Sequence, residues 1–478
     1  ADVVLGRLPA EQDDQADPVR QVGGGPGHLG GWHPASVGNW KNHPVRFTTD
    51  QLAAGLVADL VGPGGEVDGV GIDSRALLPG QLFVALRAER DGHEFVPAAV
   101  ASGAGAVLVD HPLDGVHVPQ LVVSDTAAAM ERLADMARDR LPDRVVGITG
   151  SVGKTSTKDL LASVLRLHGP TAASEKSFNN ELGVPVTLAN APDDAAAAVV
   201  EMGARGKGHI EYLCRMARPT VGVVTAVEAV HTEVMGGIED IAAAKRELVE
   251  ALPPEGAAVL NADNPYVAAM ASATSARAVL FGDAGEVRAT GVEVGGDLCA
   301  SFVLESPWGS APVALGVRGV HNVGNALAAA AAALVLDVPL DLVVAGLAVT
   351  PASPWRMDLQ RTESGAQVLN DSYNAGPASM AAALRSLASL EAGRRVAVLG
   401  VMAELGDRSA DEHARIAALA AELGIELVAV STDLYGVPPV DGVDAAVVAL
   451  GELGPGDAVL VKGSRVAGLE RVAAALLG

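Results

Sequence analysis

The residues best suited to chemistry lie in Gly147-Ile148-Thr149-Gly150-Ser151-Val152-Gly153-Lys154-Thr155-Ser156. An apolar strand-like run, Val145 to Ile148, leads into this segment, and a helical pattern from Thr155 to Leu167 leaves it. Gly150 and Gly153 let the backbone wrap closely around phosphate oxygens, with Ser151 and Ser156 at the sides of the same loop. The helix N-terminus adds unpaired N–H groups and a partial positive charge. Lys154 is placed to neutralise β and γ phosphates, and the Thr155 hydroxyl to ligate Mg²⁺. The strict Walker pattern fails at Ile148, where its first Gly belongs. A glycine-rich strand-to-helix turn with no ligand is the competing reading. Gly-Lys-Thr between strand and helix favours a nucleotide, but does not separate ligase from kinase, GTPase or motor.

Three more side chains matter only in company. Glu201 ends the apolar run AAVV, and carboxylates at the C-terminal ends of parallel strands face the ligand crevice. Mg²⁺, a hard cation, prefers such oxygens; an ordinary polar strand end is the alternative. His231 follows the run VGVVT at 221–225, and Lys245 sits in the helical stretch IEDIAAAKRELVEAL. Taken singly, a loop histidine and a helix lysine are commonplace, and sequence alone promotes neither.

The elements that would position these groups alternate. Continuous apolar runs at 197–200, 221–225 and 257–260 read as buried parallel strands. Helical stretches, Thr155 to Leu167 and Asn325 to Leu336 among them, lie in the same region, which predicts a doubly wound α/β sheet between 141 and about 345. A helix from Ala127 to Arg140, ended by Pro142, marks one domain boundary, and Thr350–Pro354 marks another. Beyond it, strands at 396–400, 427–430 and 458–461 alternate with helices such as Asp411 to Leu423. The expected division is an extension at 1–44, then domains at 45–140, 141–349 and 350–478. The extension, rich in Asp, Gln, Pro and then Gly, predicts no packed core.

Bulk composition narrows the partners. With 58 Asp and Glu against 34 Lys and Arg, the formal charge is -24. That field disfavours nucleic acid and anionic lipid, so any phosphate must be held by a local pocket. No run of about 18 uncharged apolar residues predicts a membrane span. Two cysteines, Cys214 and Cys299, make no disulfide framework and fit a reducing cytoplasm.

Further motifs carry a family resemblance. DSRALLPGQLFVAL (73–86), ERDGHEF (89–95), NNELGVPVTL (179–188), EMG (201–203), NAD (261–263), HNVGN (321–325), WRM (355–357), DSYNAGPASM (371–380), MAELG (402–406) and KGSR (462–465) follow one another in order with the phosphate loop. In these the chain resembles the Mur ligases over 45–478, and in DSYNAGPASM their D-alanyl-D-alanine-adding branch. The resemblance implies a smaller N-terminal α/β domain that binds UDP, a central parallel-sheet ATPase domain and a Rossmann-like C-terminal domain. It implies an ATP-dependent ligase joining D-alanyl-D-alanine to a UDP-N-acetylmuramoyl-tripeptide through an acyl phosphate, in peptidoglycan precursor synthesis. A monomer is expected.

The same resemblance assigns residues. Lys154 and Arg356 would reach the phosphates, and Thr155 with Glu201 a first Mg²⁺. Glu201, His231 and Lys245 would surround a second, Lys245 as a carbamate, because CO₂ turns a repelling ammonium into an anionic oxygen donor. Asn261, His321, Asn322 and Asn325 would lie near adenine and ribose, with Asp371 on the ribose. Asp73, Ser74 and Arg75 would hold the UDP-sugar, and Asn179 and Asn180 would line the muramoyl-peptide path. Tyr373, Asn374, Lys462 and Arg465 would receive the dipeptide. The chain departs from the family at Ala88, Ala226, Glu228, Gly376 and Val401, none of them a phosphate or metal ligand. Two alternatives remain at this point: a Mur-like amide ligase with another amino component, and a nucleotide-binding module without catalysis.

Overall fold

The computed structural model describes residues 46–175, 178–229, 235–351 and 353–478; the extension at 1–44 and His231 lie outside the described residues. Its centre is a six-stranded sheet, ordered Arg277–Phe281, Ala257–Asn261, Val221–Val224, Val145–Thr149, Ala197–Glu201, Thr171–Ala173. Every pairing in it is parallel. Val145–Thr149, Val221–Val224 and Ala197–Glu201 are buried throughout, as strands covered on both faces must be. The first strand, Val145–Thr149, lies in the middle, so the strand order reverses beside it. Such a reversal opens a crevice at the carboxyl ends of the strands.

The helix Lys154–His168 leaves that point and buries Leu160, Leu161, Val164 and Leu165 against the sheet and two neighbours. One is Asn322–Val335, whose run Ala328–Ala333 is wholly buried. The other is Leu340–Ala348. There a Cβ on Gly346 would stand 2.4 Å from the Val164 Cα, so only glycine permits the approach.

One part of this region differs from the expected strand–helix alternation. Arg288–Val294, Cys299–Ser306 and Gly309–Arg318 form a three-stranded antiparallel sheet. Ala300, Phe302 and Leu304 point into the core shared with Leu327 and Val343, while Ser301 and Val303 face outward. The period is two rather than helical, which is the pattern of a sheet packed on one face only.

Two five-stranded α/β sheets flank the centre. The N-terminal one runs Asp59–Val61, Gln120–Val122, Ala106–Val109, Leu82–Val84, Val70–Gly71, with the first pair antiparallel and the rest parallel. The C-terminal one runs Asp358–Arg361, Gln367–Asn370, Asp457–Lys462, Arg394–Leu399, Glu426–Ala429, again antiparallel only at its first pair. Asn190 joins the N-terminal sheet to the centre by exchanging two 2.8 Å hydrogen bonds with the Val70 backbone. Buried Arg138 adds a 2.8 Å bond to the Ala217 carbonyl. Among the described residues no helix is long and apolar enough to cross a membrane.

After the strand Arg394–Leu399, the start of the MAELG loop is held by His413, which is fully buried. Its Nδ1–H donates to the Ser409 carbonyl at 2.6 Å, and its Nε2 accepts from Met402 N–H at 2.9 Å. Both nitrogens are therefore used by the neutral ring, and burial pushes the pKa below its ordinary value. An unfolded histidine takes up a proton more readily than this one. The stabilisation is thus complete above about pH 6.5 and is lost as pH falls through and below it. The melting temperature is expected to drop between pH 7.5 and 5.5, and His413→Gln to remove part of that drop. An identical pH response in the variant would exclude the role.

Candidate active site

The phosphate loop is built by backbone geometry. Gly150 has φ +151° and Gly153 φ +84°, and a Cβ on Gly150 would lie 1.9 Å from the Thr225 hydroxyl. The next strand fixes the loop from the side. Ser151 N–H donates to the Ala226 carbonyl at 2.8 Å, and the Thr225 hydroxyl donates to the Val152 carbonyl at 2.5 Å. Ser151 Oγ both donates to the Glu228 carbonyl (3.1 Å) and accepts from Glu228 N–H (2.9 Å). Lys154 Nζ folds back onto the Gly150 carbonyl at 2.6 Å. Burial lowers its pKa, while nearby Glu201 opposes the shift.

Glu201, only 1% exposed, is the acidic centre. Parallel register sets it opposite Ile148, one turn of chain before the loop. The Thr155 hydroxyl donates to its Oε2 at 3.0 Å, and Asn179 Nδ2 donates to its Oε1 at 2.9 Å. Arg356, from the C-terminal part of the chain, donates Nη2 to the same Thr155 hydroxyl at 3.1 Å. Thr155 and Glu201 thus turn two hard oxygens toward one point, a donor pair that fits Mg²⁺.

Lys245, on the helix Ile238–Glu250, is 4% exposed, so it is no solvated helix lysine. Burial, with the like charge of Lys154 nearby, lowers its pKa to about 7. Lys154 thus lies beside the Glu201 carboxylate and close to both Arg356 and Lys245, in a chain of net charge -24.

The remaining expected site residues fall into groups. Asn325 connects HNVGN to the loop helix: its Nδ2 donates to Asn322 Oδ1 at 2.7 Å, and its Oδ1 accepts from the Thr157 hydroxyl at 3.4 Å. Asn322 in turn donates to the Arg318 carbonyl at 2.7 Å, and His321 is exposed at the start of that helix. Asn261 Nδ2 donates to the Thr225 carbonyl at 2.8 Å, tying its strand end to the strand behind the phosphate loop. Ser156 lies in the first turn of the loop helix. Asn180 Oδ1 accepts from Gly183 N–H at 2.9 Å, whereas its neighbour Asn179 faces the Glu201 carboxylate.

Asp371 and Lys462, assigned to different substrates by resemblance, form one ion pair at 2.5 Å, with Lys462 buried and Asp371 partly so. Lys462 also donates to the Asn374 carbonyl at 2.9 Å, so its ammonium holds the DSYNAG loop in shape. Tyr373 lies under Arg356, and Arg465 over Trp355, at 4.1 and 4.6 Å from the ring centroids. Asn374 is exposed at the loop surface. Asp73, Ser74 and Arg75 follow the edge strand Val70–Gly71 in the N-terminal sheet, with Arg75 paired to Asp73 at 2.7 Å. Sequence reasoning missed Trp355 and Ser174. The Ser174 hydroxyl accepts from Glu201 N–H at 3.0 Å, and the Ser174 carbonyl accepts from buried Lys158 at 2.6 Å, so this residue anchors the strand end that carries the carboxylate. Trp355 lies in WRM, where only Arg356 is given a role, and Ser174 lies in no motif or periodicity that would mark it.

Three family models match in chain order: the Mur ligase family catalytic domain over 66–138, the Mur ligase middle domain over 148–333, and the Mur ligase glutamate ligase domain over 355–465. Among curated relatives, the UDP-N-acetylmuramoyl-tripeptide–D-alanyl-D-alanine ligase of Escherichia coli (strain K12) is 38% identical, covering 90% of this chain and 98% of its own. That of Mycobacterium tuberculosis (strain H37Rv) is 41% identical, covering 85% and 92%. Of solved structures, MurF from Acinetobacter baumannii superposes with TM-score 0.81 at 32% identity, over 91% of this chain and 99% of that one. MurF ligase from Thermotoga maritima, in complex with ADP, gives TM-score 0.73 at 25% identity, over 85% and 96%. Matched along its N-terminal, central and C-terminal parts, the chain belongs to the Mur ligase family.

Proposed function

We propose that this protein is an ATP-dependent ligase that adds D-alanyl-D-alanine to UDP-N-acetylmuramoyl-tripeptide, supplying peptidoglycan precursor. The observation that carries the reading is the convergence of Lys154, Thr155, Glu201 and Arg356 at the carboxyl end of a parallel sheet. Relatives of that name match most of the chain and most of their own length.

Amide formation in water needs an activated acyl group. The tripeptide's terminal carboxylate oxygen attacks the γ-phosphorus of ATP, the bond to ADP breaks, and an acyl phosphate forms. Two anions must approach each other, so Lys154 and Arg356 stabilise the charge that spreads over the transferring phosphoryl group. Mg²⁺, when bound, would supply further charge neutralisation. By the family resemblance Thr155 and Glu201 would hold a first ion, and Glu201 with Lys245 and His231 a second. The dipeptide amine then attacks the acyl carbon, loses its proton, and phosphate leaves. Residues 45–140 bind the UDP-sugar, 141–349 the nucleotide and 350–478 the dipeptide; closure of the last over the crevice keeps water from the acyl phosphate. Asn261, His321, Asn322, Asn325 and Asp371 serve the nucleoside. Free Cys214 and Cys299 fit a cytoplasmic protein.

Lys245 as an ammonium is a poor neighbour for Mg²⁺, but a pKa of about 7 leaves much of it neutral near pH 7. The free amine attacks CO₂, an N–C bond forms, a proton goes to solvent, and an anionic carbamate results.

Phosphate release with UDP-N-acetylmuramoyl-tripeptide and ATP is expected to depend on D-alanyl-D-alanine. Release that requires a different amine would replace this specificity, and no release with any amine would leave only a nucleotide-binding module. Lys154→Ala is expected to lower kcat by roughly 10²–10³-fold, the usual loss on removing one such charge-stabilising donor. A folded variant with unchanged turnover would remove Lys154 from the phosphates. Enzyme stripped of CO₂ should lose activity and regain it on bicarbonate addition, with a ¹³C carbamate resonance absent from Lys245→Ala. At fixed dissolved CO₂ its recovery rate should rise with pH through about 7 and then level, because only the neutral amine reacts. Full activity without CO₂ would exclude the carbamate.

A further inference from the structure

Arg356 is reached through an unusual stretch of backbone. Trp355 has φ +60° and Met357 φ +50°, so both neighbours of the arginine adopt the left-handed region. Bulky side chains seldom do so, and such strain persists only where the surroundings over-determine it.

The contacts at Trp355 come from two distant segments. Its carbonyl accepts from Tyr373 N–H at 3.1 Å, within DSYNAG. Its indole lies under the Arg465 guanidinium of KGSR, 4.6 Å from the ring centroid. Arg465 is itself steadied by Glu470 at 3.0 Å. On the far side, Met357 is 3% exposed, and its N–H donates to Asp371 Oδ1 at 3.1 Å. The turn is pinned at both ends. Between them the Arg356 side chain stacks on Tyr373 and donates to Thr155.

We infer that Trp355 is a positioning residue: its ring, clasped by Arg465, holds the strained turn that delivers Arg356 to the phosphate end of the nucleotide site. Arg465 then acts through Trp355, and its guanidinium is already engaged by Glu470 and the indole. This rests on the assignment of Arg356 to the phosphates under Proposed function.

Steady-state kinetics of Trp355 variants test it. Trp355→Ala should lower kcat by about 10–100-fold, the scale of misplacing a catalytic group by an ångström. KM for ATP, the UDP-linked tripeptide and the dipeptide should stay within about twofold, because the loss falls on the transition state. Trp355→Gly should lose as much, since glycine accepts the left-handed φ but offers no ring. Trp355→Phe, which keeps an aromatic face for Arg465, should recover kcat to within about threefold of wild type. Combining Trp355→Ala with Arg465→Met should cost no more than either change alone, as partners in one contact do. Should Trp355→Ala fail to fold, Trp355→Leu keeps apolar bulk without a π face and takes its place.

A Trp355→Gly enzyme with wild-type kcat would overturn the inference. So would a raised dipeptide KM at unchanged kcat, which would place the indole on substrate, or losses that multiply in the double variant. Arg356→Ala separates the two levels of the argument. If it keeps wild-type kcat, the phosphate assignment falls and this inference with it. If it is inactive while Trp355→Gly is fully active, only the inference falls.

Discussion

A carboxylate buried to 1% exposure is the constraint around which the centre of the molecule is arranged. An ionised group taken out of water costs several kcal/mol unless it is paired and hydrogen-bonded. Glu201 answers this with a hydroxyl from the loop helix, an amide from Asn179, and the nearby positive charges of Lys154 and Arg356. Those partners come from separate stretches of chain, so the sheet, the loop and the C-terminal segment must all be in place. Of these, Lys154, Thr155 and Arg356 are the groups proposed above to meet the phosphates and the metal ion. Glu201 is thus satisfied by the protein's own groups.

The C-terminal third supplies its arginine at a local conformational cost. Left-handed backbone at Trp355 and Met357 is worth roughly 1–3 kcal/mol of strain each. The two ring–guanidinium stacks return roughly 0.5–2 kcal/mol apiece, and the hydrogen bonds to Tyr373 and Asp371 about 1 kcal/mol each. The terms are of similar size. The turn is held without large excess, and it depends on DSYNAG and KGSR being folded against it.

Local chemistry was legible in the sequence where one segment carries it whole. The phosphate loop sits on contiguous residues between a strand and a helix, and the apolar run before Glu201 announces a buried parallel strand. Both are found as read. Lys245 shows the limit. Its helix is amphipathic, but which face meets the phosphate loop depends on a partner some 90 residues upstream, Lys154. The Asp371–Lys462 pair is long-range in the same way: each residue alone looks like a ligand contact, and only the sheet brings them together. The antiparallel sheet at 288–318 was missed for a different reason. Its period-two pattern is diluted by Gly and exposed Val, so it reads weakly beside the strong helices that follow.

That small sheet ends in Arg288–Val294, bonded to a neighbour on one side only and largely open to solvent. An open edge invites another copy to add a strand. Here the ladder is broken by a register shift between Thr290 and Glu293, and Arg288 is tied across to Glu305 at 2.7 Å. A kinked, charged edge is a poor template for recruitment. The exposed Val292 and Val294 of this strand therefore sit on an edge ill-shaped to template a further strand.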